Sequence, residues 1–146
     1  MEQPIRLYFL CIQNRCRSQI AEAFAGYYGG ENVIAESAGL ETGDIHPYAI
    51  EVMKEVGIDI SSKNSKMIDM KTFMQSKVIV KLCEQVNGKC PIVPFAIKNV
   101  QWDIADPLTH TGRVEDVRAA RDEIHSKVLE LLKEMGVPVN KEIKSM

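Results

Sequence analysis

The chain has 146 residues, a formal net charge of −2, and a composition of 45% hydrophobic and 26% charged residues. This is the length of one ordinary domain, with enough apolar side chains for a buried core. A slightly acidic chain argues against nucleic acid or an anionic membrane surface as a partner. We therefore expect a single domain over residues 1–146 that exists as a monomer.

The sequence shows no targeting or membrane-spanning signal. No apolar run approaches the roughly 20 residues that cross a bilayer, and the start of the chain lacks the basic and apolar regions of a secretory signal peptide. This predicts a cytoplasmic protein. Cysteines in that compartment are kept reduced unless they do redox work, so the positions of the four cysteines bear on function.

Short apolar strands alternate with amphipathic helices along the chain. Apolar and β-branched runs predict four strands, at residues 5–10, 33–35, 78–82 and 100–102. Helical periodicity with glycine stops predicts helices that end at Gly29, run from Pro47 to Gly57, and span about residues 114–135. The alternation is typical of βαβ units. It predicts an α/β fold, a parallel four-stranded sheet with helices on both faces.

The segment of residues 11–18 carries the strongest chemical signal. Cys11 follows the first strand, and Arg17 and Ser18 stand at the start of the first helix. The N–H groups of a tight loop and the positive end of the following helix would bind an anion there. The same field favours the thiolate of Cys11, and the planar fork of Arg17 can hold two oxygens of an oxyanion. Ser18 can donate to the thiolate, and Asn14 tolerates a left-handed backbone.

An alternative is that Cys11 is a small buried hydrophobe at the end of a strand, as free cysteines often are. A cysteine followed at this spacing by Arg and Ser, placed between a strand and a helix, favours catalysis. The residues predicted to bind the oxyanion are Gln13, Asn14, Arg15, Cys16 and Arg17.

Cys83 and Cys90 are seven positions apart. In a helix their α-carbons would lie roughly 10 Å apart, whereas a disulfide requires about 7 Å or less. A bond between them would require the segment to unwind, which Gly88 makes easier. The pair therefore predicts a redox-driven switch. Two alternatives remain: a zinc site, for which the cysteine spacing is poor, and two unrelated cysteines.

The predicted topology places two further residues, Cys83 and Asp106, near the loop. Cys11 and Cys83 both follow strands, so they are expected on the same rim of a parallel sheet. Asp106 precedes Pro107, which favours an extended backbone, and its carboxyl group could protonate a leaving oxygen. The alternative for Asp106 is an ordinary Asp-Pro turn.

The three histidines, His46, His110 and His125, belong to no cluster visible in the sequence. His46 precedes Pro47 and is predicted to start a helix. On the last helix, His125 and the charged residues 118–123 are predicted to face solvent.

Together these residues resemble a known family, the thioredoxin-coupled arsenate reductases, which share the fold of the low-molecular-weight protein tyrosine phosphatases. The resemblance covers most of the chain. It is carried by Asn14, Cys16-Arg17-Ser18-Gln19, Ala21-Glu22, residues 36–39 and 53–61, Leu82-Cys83, Cys90-Pro91-Ile92, Asp106-Pro107 and residues 121–124. The Cys83/Cys90 pair distinguishes the reductases from the plain phosphatases.

The resemblance implies a mechanism. Cys11 attacks arsenate held by the loop and Arg17, while Asp106 protonates the leaving oxygen. Cys83 attacks the resulting adduct, and arsenite leaves behind a Cys11–Cys83 disulfide. Cys90 then attacks Cys83, and thioredoxin reduces the Cys83–Cys90 disulfide. The resemblance also implies phosphate as a competitor of arsenate and no tightly bound cofactor. For this chain we expect no bound metal.

The loop departs from the family pattern, which usually has Thr-Gly after the nucleophile and Ser before the second cysteine. Here those positions hold Ile12, Gln13 and Arg15, and Arg15 adds a positive charge. The alternatives are therefore a phosphatase acting on phosphotyrosine or small phosphoesters, and a non-catalytic redox switch.

Many members of the family hold a potassium ion near the loop, through residues that match Asn14, Glu22, Ser37 and an Asp. In this chain Lys66 stands at the position of that Asp. One hypothesis is that the Lys66 ammonium replaces the ion and pairs with Glu22. The alternatives are a retained cation site at Asn14, Glu22 and Ser37, and an ordinary surface lysine at position 66.

Overall fold

The computed structural model describes residues 3–83, 86, 88–110 and 112–139. Its four strands are β1 (Ile5–Cys11), β2 (Val33–Gly39), β3 (Val78–Lys81) and β4 (Lys98–Gln101), which form one parallel sheet in the order β2-β1-β3-β4. The predicted parallel four-stranded sheet is thus confirmed. The prediction of one domain over residues 1–146 extends into residues 140–146, which lie outside the described residues.

Helices cover both faces of the sheet, as predicted. They are α1 (Arg17–Gly29), α2 (Pro47–Glu55), α3 (Met70–Gln75), α4 (Pro107–His110) and α5 (Val114–Glu134). The short helices α3 and α4 are too brief for their periodicity to be visible in the sequence. Among the described residues, none of the helices is both long and apolar enough to cross a membrane.

The side chains of β1 alternate between two cores, as expected for a strand that is covered on both faces. Leu7, Phe9 and Cys11 pack into the core that α1, α2 and α5 cover. The intervening residues of β1 pack into a second core, to which α3 contributes Phe73 and the segment after β3 contributes Cys83. The side chains of Cys11 and Cys83 therefore lie on opposite faces of the sheet.

Helix α5 buries polar groups that the sequence predicted to face solvent. Nε2 of His125 lies 2.7 Å from Oη of Tyr28, and Nη1 of Arg121 donates to the carbonyl of Val52 at 2.8 Å. Both predictions of exposure were wrong for these two residues. The physical reason is that α5 packs against both α1 and α2, so the arc of the helix that is buried is wider than its apolar stripe.

Candidate active site

The 11–18 loop connects β1 to α1 at the carboxyl end of the sheet and forms the floor of a pocket of about 430 Å³. The pocket is lined by Cys11, Ile12, Gln13, Arg15, Cys16, Arg17, His46, Asp106 and Leu108. Most of the residues that the sequence singled out in the loop therefore share one cavity, together with Asp106 from a distant part of the chain.

Four consecutive carbonyl groups of the loop each accept a hydrogen bond from a residue outside the loop. The carbonyls of residues 12–15 accept hydrogen bonds from Glu41 N at 3.0 Å, Ser65 Oγ at 2.7 Å, Gln19 Nε2 at 3.2 Å and His46 N at 3.0 Å, in that order. In a trans peptide the following N–H points the opposite way, and the loop has no cis bond. None of the N–H groups of residues 13–16 donates to another described residue. The loop thus offers a set of N–H donors to an anion.

Asn14 holds the loop in this shape. Its backbone has the left-handed φ of 53° that the sequence predicted. Its side chain is fully buried, and Oδ1 accepts from Lys66 N at 2.9 Å and from Gln19 Nε2 at 3.0 Å. These two bonds orient Nδ2 toward Ser18, whose Oγ lies 2.7 Å away.

Ser18 contacts the sulfur of Cys11, and the two atoms Oγ and Sγ are 2.8 Å apart. Because Oγ already accepts from Asn14, the hydroxyl proton of Ser18 is available to the sulfur. A donor in this position stabilises a thiolate, both before attack and when it leaves.

Arg17 and Asp106 form one wall of the pocket. Nη1 of Arg17 donates to the carbonyl of Ile104 at 2.7 Å, and Nη2 lies 3.8 Å from Oδ2 of Asp106. The other carboxyl oxygen of Asp106 accepts from Leu108 N at 3.0 Å, at the start of α4. The guanidinium is buried and positioned by protein groups, while the carboxyl group is held at the mouth of the pocket beside it.

Two segments support the loop from below. Gly39 passes so close that a Cβ there would lie 2.7 Å from the carbonyl oxygen of Ile12 and 2.8 Å from the amide of Asn14. Residues 63–66, which we call the buttress, place Ser65 and Lys66 against the loop carbonyl and Asn14 described above. The sequence indicated neither Ser65 nor the close approach of Gly39, because both contacts join distant parts of the chain.

Cys16 lies in the same pocket but is chemically different from Cys11. Burial, the nearby charge of Cys11 and that of Asp106 raise the pKa of Cys16 to about 12, against the lowering effect of Arg17 and Arg15. Cys16 therefore stays a neutral thiol at physiological pH, and its backbone N–H is one of the loop donors described above.

Cys83 and Cys90 follow β3, and none of the four cysteines, all within the described residues, is in a disulfide. Cys83 is buried and Cys90 is partly exposed. Val86 N donates to Cys83 O at 3.3 Å, and Cys90 N donates to Val86 O at 2.8 Å. The segment predicted to act as a redox-driven switch includes residues 84, 85 and 87, which lie outside the described residues. Burial raises the pKa of Cys90, and the charge of Lys81 opposes this.

Comparison with known proteins agrees with this geometry. The family described as low molecular weight phosphotyrosine protein phosphatase matches residues 6–142. The chain belongs to this family. It is 40% identical over 134 residues to an arsenate reductase of Bacillus subtilis, an alignment that covers 89% of this chain and 96% of the relative.

Solved structures of this phosphatase family have the same architecture. One is an arsenate reductase in the phosphate binding state, with a TM-score of 0.75 and 31% identity, covering 89% of this chain and 98% of the other. Another is a thioredoxin-dependent arsenate reductase of Corynebacterium glutamicum, with a TM-score of 0.75 and 27% identity over 93% of this chain. The chain spans 64% of the length of that protein.

The predicted pairing of the Lys66 ammonium with Glu22 was wrong. Nζ of Lys66 donates to the carbonyl of Asn64 at 2.9 Å. It is Nζ of Lys63 that lies 2.9 Å from Oε2 of Glu22, whose Oε1 accepts from Ser37 Oγ at 2.7 Å. The backbone of Lys66 is fixed by Gly39 N, which donates to its carbonyl at 2.8 Å, and its exposed side chain does not reach Glu22. In the described residues, no cluster of three or more His, Cys, Asp or Glu could hold a metal ion.

His46 is a pocket residue that the sequence did not indicate. It starts α2 as predicted, but it also lines the pocket beside Cys11 and Asp106. A His before a Pro indicates only the start of a helix. The hydrogen bond from its backbone to Arg15 O, which brings the residue to the loop, joins positions far apart in the chain.

Proposed function

We propose that this chain reduces arsenate to arsenite through a relay of three cysteines, with Cys11 as the nucleophile and Cys83 and Cys90 as the resolving thiols. The observation that carries the proposal is the combination of an anion-binding loop around Cys11 with a second cysteine pair that begins two residues after β3. Hydrolysis of a phosphoester needs only the first of these. The 40% identity to a protein named arsenate reductase supports the same function.

The reaction balances as a two-electron reduction. The Cys11 thiolate displaces one oxygen of arsenate, which Asp106 protonates as it leaves. Cys83 attacks the sulfur of the Cys11–arsenic adduct, the S–As electron pair passes to arsenic, and arsenite leaves as As(III) while a Cys11–Cys83 disulfide forms. Cys90 then displaces Cys11 from Cys83 by thiol–disulfide exchange.

The parts of the loop have separate roles in this reaction. The N–H groups of Gln13, Asn14, Arg15 and Cys16 bind the oxygens of arsenate, and phosphate competes for the same donors. Arg17 stabilises the charge that develops on the oxyanion. Ser18 stabilises the Cys11 thiolate through the 2.8 Å contact.

Thioredoxin is the proposed reductant of the Cys83–Cys90 disulfide, and no tightly bound cofactor is needed. Cys90 is partly exposed and is followed by two of the most exposed apolar side chains in the described residues, Ile92 and Phe95. A reductant whose thiolate reaches the disulfide must cover this surface. Such a relay turns over only where thioredoxin is kept reduced, and this requirement supports the proposal of a cytoplasmic location.

The decisive test is arsenate-dependent NADPH consumption in the presence of thioredoxin and thioredoxin reductase. We expect turnover in the wild type and none in Cys11→Ser or Cys83→Ser. Cys90→Ser should release one arsenite per protein and then stop, with a Cys11–Cys83 disulfide detectable by peptide mass mapping. A wild type that consumes no NADPH, or a Cys90→Ser variant that turns over repeatedly, would contradict the relay.

Phosphoester hydrolysis is the second candidate, since Cys11, Arg17 and Asp106 line one pocket that extends beyond the loop. This reaction needs no resolving thiol. Hydrolysis of p-nitrophenyl phosphate that is unchanged in Cys90→Ser and lost in Cys11→Ser, without any arsenate-dependent turnover, would favour the phosphatase.

A further inference from the structure

His46 is fixed between the loop and helix α2. Its backbone N–H donates to the carbonyl of Arg15 at 3.0 Å. Its side chain caps α2, because Nδ1 accepts from Tyr48 N at 3.0 Å. The imidazole therefore has little freedom to rotate, and its orientation follows from contacts that involve no ligand.

The capping contact also decides which ring nitrogen carries the proton. A nitrogen that accepts a hydrogen bond cannot itself be protonated, so a neutral His46 carries its proton on Nε2. Within the described part of the chain, no group is hydrogen-bonded to Nε2. His46 is one of the residues that line the pocket containing Cys11 and Arg17, so this residue offers the pocket a donor that has no partner among the described residues.

Burial and one neighbouring positive charge favour the neutral form of His46. Burial and the positive charge of Arg15 lower the pKa of His46, and Asp106 raises it by a smaller effect. The ring of Tyr48 also lies close to His46, with 5.1 Å between the ring centroids. At neutral pH the ring is thus an uncharged donor, and the tautomer set by Tyr48 N applies.

We propose that His46 is a binding residue for the oxyanion substrate, donating from Nε2 to an oxygen that the loop and Arg17 leave facing the rest of the pocket. The loop supplies backbone N–H donors, among them those of residues 13–16, and Nη1 of Arg17 is already engaged by Ile104. His46 adds a donor from a different element, the start of α2. The inference rests on the proposed function only for the class of ligand, a tetrahedral oxyanion.

Two substitutions test separately the two roles of His46, as a donor through Nε2 and as the cap of α2 through Nδ1. Asn at position 46 places an oxygen where Nδ1 stands, so His46→Asn keeps the cap of α2 but removes the donor. Gln places its amide nitrogen near the position of Nε2, so His46→Gln keeps a donor but weakens the cap. Both are made in a Cys11→Ser background, and sulfate is titrated by calorimetry at neutral pH, since sulfate does not change its charge there.

We expect His46→Asn to weaken sulfate binding by about tenfold, the effect of one hydrogen bond to a charged acceptor, with the melting temperature unchanged. His46→Gln should bind sulfate within about threefold of the parent and melt a few degrees lower. In the otherwise wild-type enzyme, His46→Asn should raise KM for arsenate more than it lowers kcat.

Asp69→Ala is the matched control, because it removes the cap of another helix, α3, at a site that does not line the pocket. It should lower the melting temperature and leave sulfate binding unchanged. Unchanged sulfate binding in His46→Asn would overturn the proposal, as would a loss of binding in both His46 variants that follows their melting temperatures. Because the readout is binding by a protein without its nucleophile, it does not depend on whether the cysteine relay operates.

Discussion

The 11–18 loop and the segment that carries Cys83 and Cys90 take part in the same proposed reaction, but they are built differently. The loop is held by outside donors to four consecutive carbonyls and by the buried side chain of Asn14. A Cβ on Gly39 beneath it would collide with backbone. In the second segment, a Cβ on Gly88 would meet nothing within 4 Å.

The difference follows from the chemistry that each region must perform. Electrostatic stabilisation of an oxyanion requires donors that are already in place when charge develops. Thiol exchange requires sulfur atoms to come into bonding contact in succession. Since Cys11 and Cys83 pack in cores on opposite faces of the sheet, the second region must change its conformation before they can bond. The proposed relay therefore combines a loop that is held in place with a second region in which Gly88 has open space around it.

The same substitution in the two regions gives the largest expected contrast. Gly39→Ala should lower the free energy of unfolding by about 3 kcal/mol, because the added Cβ overlaps backbone atoms of the loop. It should also abolish sulfate binding in the Cys11→Ser background. Gly88→Ala should change the free energy of unfolding by less than about 0.5 kcal/mol. Urea denaturation followed by circular dichroism measures both.

Equal changes in the free energy of unfolding for Gly39→Ala and Gly88→Ala would contradict the proposed difference between the two regions. Destabilisation by Gly88→Ala as large as that of Gly39→Ala would mean that the second segment is as tightly packed as the loop. Gly26→Ala, where a Cβ on α1 also meets nothing within 4 Å, controls for the general effect of adding a methyl group.

A second prediction concerns the surface beside Cys90. Phe95→Ser should raise KM for thioredoxin by about tenfold, the loss expected for an aromatic anchor at an interface. The yield of arsenite in a single turnover without thioredoxin should be unchanged, because Phe95 is fully exposed and far along the chain from the loop.

The control for this prediction is Ile34→Ser, which removes an exposed apolar side chain on β2. It should leave KM for thioredoxin unchanged. If Phe95→Ser lowered the single-turnover yield and left KM for thioredoxin unaltered, the exposed surface would not be where the reductant docks.

Most residues of the 11–18 loop site could be predicted from the sequence, because they lie close together along the chain. Cys11, Arg17 and Ser18 all lie within one short strand–loop–helix unit. The left-handed backbone of Asn14 follows from its residue type and its position in the loop. The parallel sheet could be predicted for the same reason. Strands β1, β2 and β3 and the long helices show their apolar patterns within single short windows. Strand β4 was predicted at residues 100–102 but lies at Lys98–Gln101, because it is a mostly exposed strand without an apolar run.

The contacts that the sequence did not reveal all join distant segments. Lys63 and Lys66 are both lysines near the same turn, and only the path of the buttress decides which one reaches Glu22. His46 reaches the pocket through a bond to Arg15, and His125 is buried by the meeting of α1 and α5. No local sequence pattern predicts these tertiary contacts, because they depend on how whole helices and strands pack against each other.

The corrected position of the ammonium group yields a third prediction. Lys63→Met should lower the free energy of unfolding by about 1–2 kcal/mol. The substitution leaves the buried Glu22 carboxylate with Ser37 as its hydrogen-bond partner among the described residues. Because Lys63 is partly exposed, the loss is smaller than for a fully buried ion pair. Lys66→Met, the matched control, should cost less than about 0.5 kcal/mol. The reverse order in urea denaturation would restore the original assignment of Lys66.

The smallest expected effect tests how far the rigid site depends on side chains. Cys16→Ala keeps the backbone N–H that faces the anion and removes a thiol whose pKa is about 12, so it takes no part as a nucleophile. We expect arsenate turnover within about threefold of the wild type and a stability loss of about 1 kcal/mol for the small cavity. If a folded Cys16→Ala protein lost turnover as completely as Cys11→Ser, the relay would involve a fourth cysteine. Unaltered turnover, by contrast, would show that the loop contributes only its backbone at this position.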